Sequence, residues 1–425
     1  MEQGFDNQHL RRQFPSRERT IDGSPAIYFD GPGGTQTPLG VIEAMSGYLR
    51  SCNANLGGAF ATSRESDEVV FSARLAMADF FNANRPEEIA FGQNMTSLTF
   101  AASRAIGRTW RSGDEIVVTR LDHDANITPW AAAAQERDVT VRWWDMSVHD
   151  CVLEIGGLER LLNQKTKLVA VTYASNAVGT INDISKITQL AHQVGALVYV
   201  DAVHYAPHGP IDVQEIDCDF LAVSAYKFFG PHVGVFYGKY ELLESIEAYK
   251  VRPAPKRPPG KWETGTQSFE SLAGLTAAVD YLASIGEKFV QEGSSEGSGL
   301  SGRRRSLQNA MRLIKEYEEG LSLKFLELAA AVPGLKVYGI TDIERLSERS
   351  PTFAISMEGY TAREVAEYLG DQGIFVWDGH YYAVAVMERL GLLDSGGLVR
   401  IGLVHYNTEE EINRTVDSLK MLSAN

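Results

Sequence analysis

The chain has 425 residues, 44% apolar and 22% charged, with a formal net charge of −15. That length predicts more than one structural unit, that composition predicts a soluble globular protein, and the acidic balance argues against a nucleic-acid partner. The sequence shows no apolar run long enough to span a bilayer and no basic-then-apolar leader, and its three cysteines, Cys52, Cys151 and Cys218, are too far apart for a metal motif or a disulfide framework. A cytoplasmic protein with no membrane and no metal is expected.

Residues 1–25 are polar and charged and are expected to form an N-terminal arm that packs with a small domain. From Ile27 to Val251 short apolar strands alternate with amphipathic helices, the pattern of an α/β fold. Strands are expected at Glu88–Phe91, Glu115–Thr119, Val139–Trp143, Lys167–Thr172, Ala196–Asp201, Phe220–Ser224 and Gly234–Tyr237. Several are nearly continuous apolar runs, as in parallel strands covered on both faces. Residues 253–260 read as an irregular loop, and Gly293 to Gly302 as a mobile Gly/Ser-rich turn. A long helical pattern beyond Arg303 opens a smaller α/β lobe. The expected division is an arm at 1–25, a large domain at 26–285 and a small C-terminal domain at 286–425.

Polar residues recur at the carboxyl ends of these strands, where ligands of parallel sheets gather. They are Asn94, His123, Asn176, Asp201 and Lys227. Lys227 follows an apolar strand, and Gly230-Pro231 then breaks the chain. Such a lysine loses hydration, its pKa falls, and its amine becomes able to form a Schiff base. Ser224-Ala225-Tyr226-Lys227 also matches the Ser-x-x-Lys pattern of acyl enzymes, but that class opens a helix with its serine and carries companion motifs absent here. Asp201 alone reads as a helix N-cap. Paired with Lys227 it reads as the partner of a pyridine nitrogen, and the two together are what pyridoxal phosphate requires.

His204, three residues on, meets either the cofactor's phenolic oxygen or the packing of its own turn. His123 could stack on a pyridine ring. Thr96 and Ser97, with the N–H groups that open the helix after Asn94, form either an anion site or an N-cap, or both. Arg400 lies inside an apolar strand and needs an anion, which is a substrate carboxylate or an internal Asp or Glu.

Five stretches carry a resemblance to the class V aminotransferase family, and within it to cysteine desulfurases and selenocysteine lyases. They are Asp122-His123-Asp124-Ala125-Asn126, Ser175-Asn176-Ala177-Val178-Gly179-Thr180, Val200-Asp201-Ala202, Ser224-Ala225-Tyr226-Lys227 and Glu263-Thr264-Gly265-Thr266. The resemblance implies the pyridoxal-phosphate transferase fold of type I: a large domain with a mostly parallel seven-stranded sheet and a small C-terminal α/β domain. It implies that Lys227 carries the Schiff base and moves protons, that Asp201 meets the ring nitrogen, and that His123 stacks on the ring. Asn176 would lie near the phenolic oxygen. Thr96, Ser224 and the backbone near Met95 would hold the phosphate, and Arg400 the substrate carboxylate. The residue matching Thr266 reaches the other subunit's cofactor in the family, which implies a homodimer with shared active sites.

Departures from that pattern bear on the reaction. Tyr226 replaces a common histidine, and Met95 a frequent threonine. In Val376-Trp377-Asp378-Gly379-His380-Tyr381-Tyr382, Trp377 stands where desulfurases carry arginine and Tyr382 where they carry the persulfide-forming cysteine. The expected enzyme therefore acts on an amino acid through an external aldimine and an α-carbanion. It is expected to be a C–S lyase on an S-substituted cysteine, with an aminotransferase or an amino-acid epimerase as the alternative. Trp377, His380 and Tyr382 would line the substrate side.

Overall fold

The computed structural model describes residues 5–289 and 300–424, so residues 293–299 of the Gly/Ser-rich stretch lie outside the described residues. All seven expected strands form: β1 Ile89–Gly92, β2 Glu115–Thr119, β3 Thr140–Trp144, β4 Thr166–Thr172, β5 Leu197–Asp201, β6 Phe220–Ser224 and β7 Gly234–Gly238. Two edges show why boundaries are harder to read than strands. Glu88 closes a 3-10 turn, and its carboxylate accepts the Asn84 N–H at 3.0 Å. The Val139 N–H is spent on the Ala134 carbonyl, so the strand begins one residue later.

The seven strands make one sheet in the order β1-β7-β6-β5-β4-β2-β3, with β7 alone antiparallel to its neighbours. Alternate side chains serve opposite faces. Val117, Val169, Val171, Val198, Val200, Leu221 and Val223 enter one apolar core. Ile116, Val118, Leu168, Ala170, Tyr199, Phe220 and Ala222 enter another, under the helices Met95–Gly107 and Thr128–Gln135. Burial on both faces is why these segments read as unbroken apolar runs.

A second, antiparallel sheet comprises β8 Leu335–Tyr338, β9 Thr352–Met357, β10 Trp377–Gly379 and β11 Leu398–Gly402, in the order β8-β9-β11-β10. Its core includes Phe353, Ile355, Val399 and Ile401. The helix Gly302–Ala329 links the two sheets. Leu307, Ala310, Met311 and Ile314 pack into the first core, and Leu321, Phe325 and Ala329 into the third.

The N-terminal segment is tied to the C-terminal one by charge. Arg11 and Arg17 reach Glu411 at 2.9 and 2.6 Å, and Asn7 donates to the His405 carbonyl at 2.6 Å. Phe14 continues inward against Tyr281 and Tyr406. Burial alone would raise the Glu411 pKa, but Arg17 and Arg11 pull it below the ordinary value. Glu411→Ala leaves Arg17 buried without a counter-charge. It is expected to cost about 3–5 kcal/mol of stability, read in thermal melts. Because the folded-state pKa is depressed, the wild-type contribution should fade as pH falls through the carboxylate range.

Candidate active site

The carboxyl ends of β2, β4, β5 and β6 bring His123, Asn176, Asp201 and Lys227 to one side of the first sheet, and β11 of the second sheet brings Arg400 to them. Lys227 ends the 3-10 turn Ala225–Lys227 directly after β6. Its Nζ donates to the Pro32 carbonyl at 2.5 Å and lies 4.6 Å from the Tyr226 ring. The surrounding protein strips most of its hydration. Burial, helped by Arg400, pushes the amine down to about 7, against the opposing pull of Asp201 and Asp30. Asp201 is buried at the tip of β5, and its Oδ1 accepts the Val203 N–H at 2.9 Å. Burial pushes its carboxyl up to about 6, with Val203 and Lys227 resisting.

Arg400 is 4% exposed in β11. One guanidinium nitrogen donates to the Asn176 carbonyl at 2.9 Å, and the Tyr381 ring lies 4.5 Å away. Nε is buried without a partner, and among the described residues no carboxylate forms an ion pair with it. The internal salt bridge open to it on sequence is therefore not formed. A buried guanidinium that lacks an anion is a seat for one.

His123 is held by its own turn, with Nδ1 accepting the Ala125 N–H at 3.0 Å. Beneath it, buried Asp122 binds the Asn126 amide at 2.6 Å and the Thr119 hydroxyl. Burial, then Lys227 and Arg400, hold the His123 imidazole down to about 4, so it is neutral near pH 7. The ring stacks against Tyr382, centroids 5.4 Å apart and planes 21° apart. Tyr381 and Tyr382 both have left-handed backbones, with φ of +51° and +58°. Two such residues in sequence cost on the order of 1–3 kcal/mol each, and strain of this kind clusters at functional sites. The loop is held by Asn176 Nδ2 donating to the Tyr381 carbonyl at 2.9 Å and by the Asp124 N–H donating to the Tyr382 carbonyl at 2.8 Å.

These residues fit pyridoxal phosphate. Lys227 offers a low-pKa amine for the aldehyde, and Asp201 a buried carboxylate for the ring nitrogen. Asn176 Oδ1 is buried without a partner. At the phosphate end the Met95 N–H donates to Ser224 Oγ at 2.9 Å, and Thr96 is exposed in the first turn of the helix Met95–Gly107. Asn94 caps that helix through the Ser97 N–H.

Three further expected residues make contacts of their own. His204 is buried, with Nε2 engaged by the Thr352 and Ser350 hydroxyls at 3.0 and 3.2 Å and its ring against His208. The second sheet's Ser350–Thr352 segment thus holds the imidazole. His380 is exposed, and its Nδ1 accepts the Tyr382 N–H at 3.1 Å. Thr266 is exposed on the loop after Glu263, which Arg74 grips with two bonds of 2.8 Å. Trp377 lies against Gly33, and Tyr226 over Gly34.

Sequence reading missed Asp30 and the Pro32 carbonyl. Asp30 Oδ1 is buried without a partner, and burial pushes the carboxyl up to about 6 against Arg400 and Lys227. The glycines of Gly31-Pro32-Gly33-Gly34, which let backbone approach a site closely, were the available signal.

In cofactor-free protein, Lys227 is expected to titrate near pH 7 rather than 10.5. Asp201→Asn removes a charge that favours the ammonium, so the pKa should fall further. NMR of isotope-labelled lysine follows both, and an ordinary lysine pKa would refute the assignment.

The aminotransferase class-V family model matches residues 27–299 and 306–415. The chain is 31% identical to a cysteine desulfurase of Dickeya dadantii (strain 3937) over 426 residues, 96% of this chain and 95% of that one. It is 32% identical to an aminotransferase-like protein, FGM3, of Gibberella zeae (strain ATCC MYA-4620 / CBS 123657 / FGSC 9075 / NRRL 31084 / PH-1), covering 98% of each. The apo structure of a cysteine desulfurase from Thermococcus onnurineus NA1 superposes with a TM-score of 0.85 at 25% identity, over 98% of both chains. The chain therefore belongs to the aminotransferase class-V family, pyridoxal-phosphate enzymes of fold type I.

Proposed function

We propose that the protein is a C–S lyase that eliminates the β-substituent from an S-substituted cysteine. The observation that carries the amino-acid part is Arg400, a buried guanidinium with an unpartnered Nε beside the Lys227 amine. A substrate carboxylate supplies the missing anion and fixes the α-carbon. Pyridoxal phosphate, when bound, joins the substrate amine and accepts electrons from the α-carbon. Lys227, with a free-amine pKa near 7, accepts the α-proton. Asp201 offers its charge to the ring nitrogen, and His123, neutral, offers a flat face without a competing positive charge. The Cβ–S bond then breaks, and its electron pair leaves with sulfur. The thiolate takes a proton, and water converts the three-carbon remainder to pyruvate and ammonia.

The choice against persulfide chemistry rests on where the thiols are. Tyr382 stands at the loop position that would need one. Cys151 and Cys218 are buried in the main core, and Cys52 ends the helix Leu39–Ser51. Burial pushes the Cys151 thiol up to about 11 and raises that of Cys218 as well, away from the thiolate form that attacks sulfur. The same reading takes the protein as cytoplasmic and as a homodimer in which Thr266, exposed on its own protomer, serves the partner's cofactor. Among the described residues no helix is long and apolar enough to cross a membrane.

Proton NMR in deuterated water, with loaded enzyme and S-substituted cysteines, should show pyruvate together with free thiol. Loss of the α-proton signal without pyruvate would refute elimination and indicate epimerisation or transamination, which a keto-acid acceptor separates. Arg400→Lys loses the planar fork and should raise KM for the amino acid about 10- to 100-fold with a smaller change in kcat. Cys52→Ala, Cys151→Ala and Cys218→Ala should each keep elimination within about threefold, since no thiol takes part. Collapse in any one that still folds and binds the cofactor would restore a thiol mechanism.

A further inference from the structure

The loop that replaces a thiol with tyrosine leaves two large aromatic side chains in solvent, Trp377 at 51% and Tyr382 at 67% exposure. Both belong to the site. Trp377 is the direct cross-strand partner of Arg400, which puts their side chains on the same face of the second sheet. Its indole is seated on Gly33, next to the Pro32 whose carbonyl takes Lys227 Nζ. A Cβ on Gly33 would come within 2.1 Å of the indole Nε1. The indole therefore borders both the strand that carries Arg400 and the turn whose carbonyl takes Lys227 Nζ. Tyr382 stacks on His123 and is held in a left-handed conformation by the bonds its loop makes to Asp124 and Asn176. The one carboxylate between them in sequence, Asp378, is paired with Arg363 at 3.2 Å. What this loop turns toward the site is aromatic.

From this geometry we propose that Trp377 and Tyr382 form a subsite for an aromatic group on sulfur, so that the substrate class is S-aryl conjugates of cysteine. The inference rests on the elimination reading and deepens it. Ring pairs of offset or edge-to-face geometry hold such a group, and open aromatic surface beside a reactive centre is what an apolar substrate covers. The chemistry agrees. An arenethiolate leaves as a stabilised anion, with the electron pair of the Cβ–S bond on sulfur, and needs no protein thiol to receive it. The α-proton goes to Lys227, water protonates the thiolate, and water hydrolyses the remainder to pyruvate and ammonia.

The test uses loaded enzyme and separates binding from turnover. α-Methyl-S-phenylcysteine and α-methyl-S-methylcysteine lack the α-proton and cannot eliminate, so calorimetry reads their affinities alone. The phenyl compound should bind about tenfold more tightly or better. Trp377→Ala and Tyr382→Ala should each narrow that margin about three- to fivefold, and Trp377→Phe should restore most of it. Equal binding of the two compounds to the wild type, or an undiminished margin in both alanine variants, would overturn the subsite. S-Phenylcysteine is then tested for turnover. Aryl preference without pyruvate would uphold the aromatic subsite and sink elimination, while pyruvate from S-methylcysteine with no aryl preference would do the reverse.

Discussion

Two cations, Lys227 and Arg400, stand in one poorly hydrated site and raise the cost of each other's charge. The pKa of each falls through burial, and that of Lys227 falls further because Arg400 is near. The carboxylates in reach, Asp30 and Asp201, are themselves pushed up by burial to about 6 and stay mostly ionised near pH 7, yet among the described residues neither forms an ion pair with Arg400. An isolated arrangement of this kind is costly, and the surrounding fold is what maintains it. The unpartnered guanidinium gives the site its place for an anion, and burial beside Arg400 keeps the lysine amine available near neutral pH.

That arrangement depends on holding two sheets in register. Lys227 and Asp201 come from the ends of parallel strands, while Arg400 comes from an antiparallel strand far along the chain. The helix Gly302–Ala329 packs into both cores. His208 binds Glu318 of that helix at 2.8 Å, and His204 binds Ser350 and Thr352. The turn after Asp201 is therefore clamped to the helix and to the second sheet at once. Through these bonds His204 and His208 fix the distance between Asp201 and Arg400.

The strands were legible because each has apolar side chains on both faces, a pattern that sequence carries directly, and their ends were located to within a residue. His123, Asn176, Asp201 and Lys227 were legible for the same reason, since each falls where such a strand stops. Asp30 was not, because the glycines beside it signal a close backbone approach but not that its bridge to Gly402 brings it near Arg400 and Lys227. The strain at Tyr381 and Tyr382 was equally hidden, since it is imposed by hydrogen bonds from Asn176 and Asp124, remote in sequence.

Local chemistry thus determined the fold class and the placement of Lys227 and Asp201 at strand ends, because strand periodicity and the strand-end residues are properties of contiguous segments. Tertiary structure decided which buried polar groups found partners. It gave His204 two hydroxyls and left Arg400 without an anion, and it set Trp377 across from that arginine. The first two outcomes rest on contacts between segments more than a hundred residues apart, where the desolvation of one charge depends on which other charge the fold brings beside it.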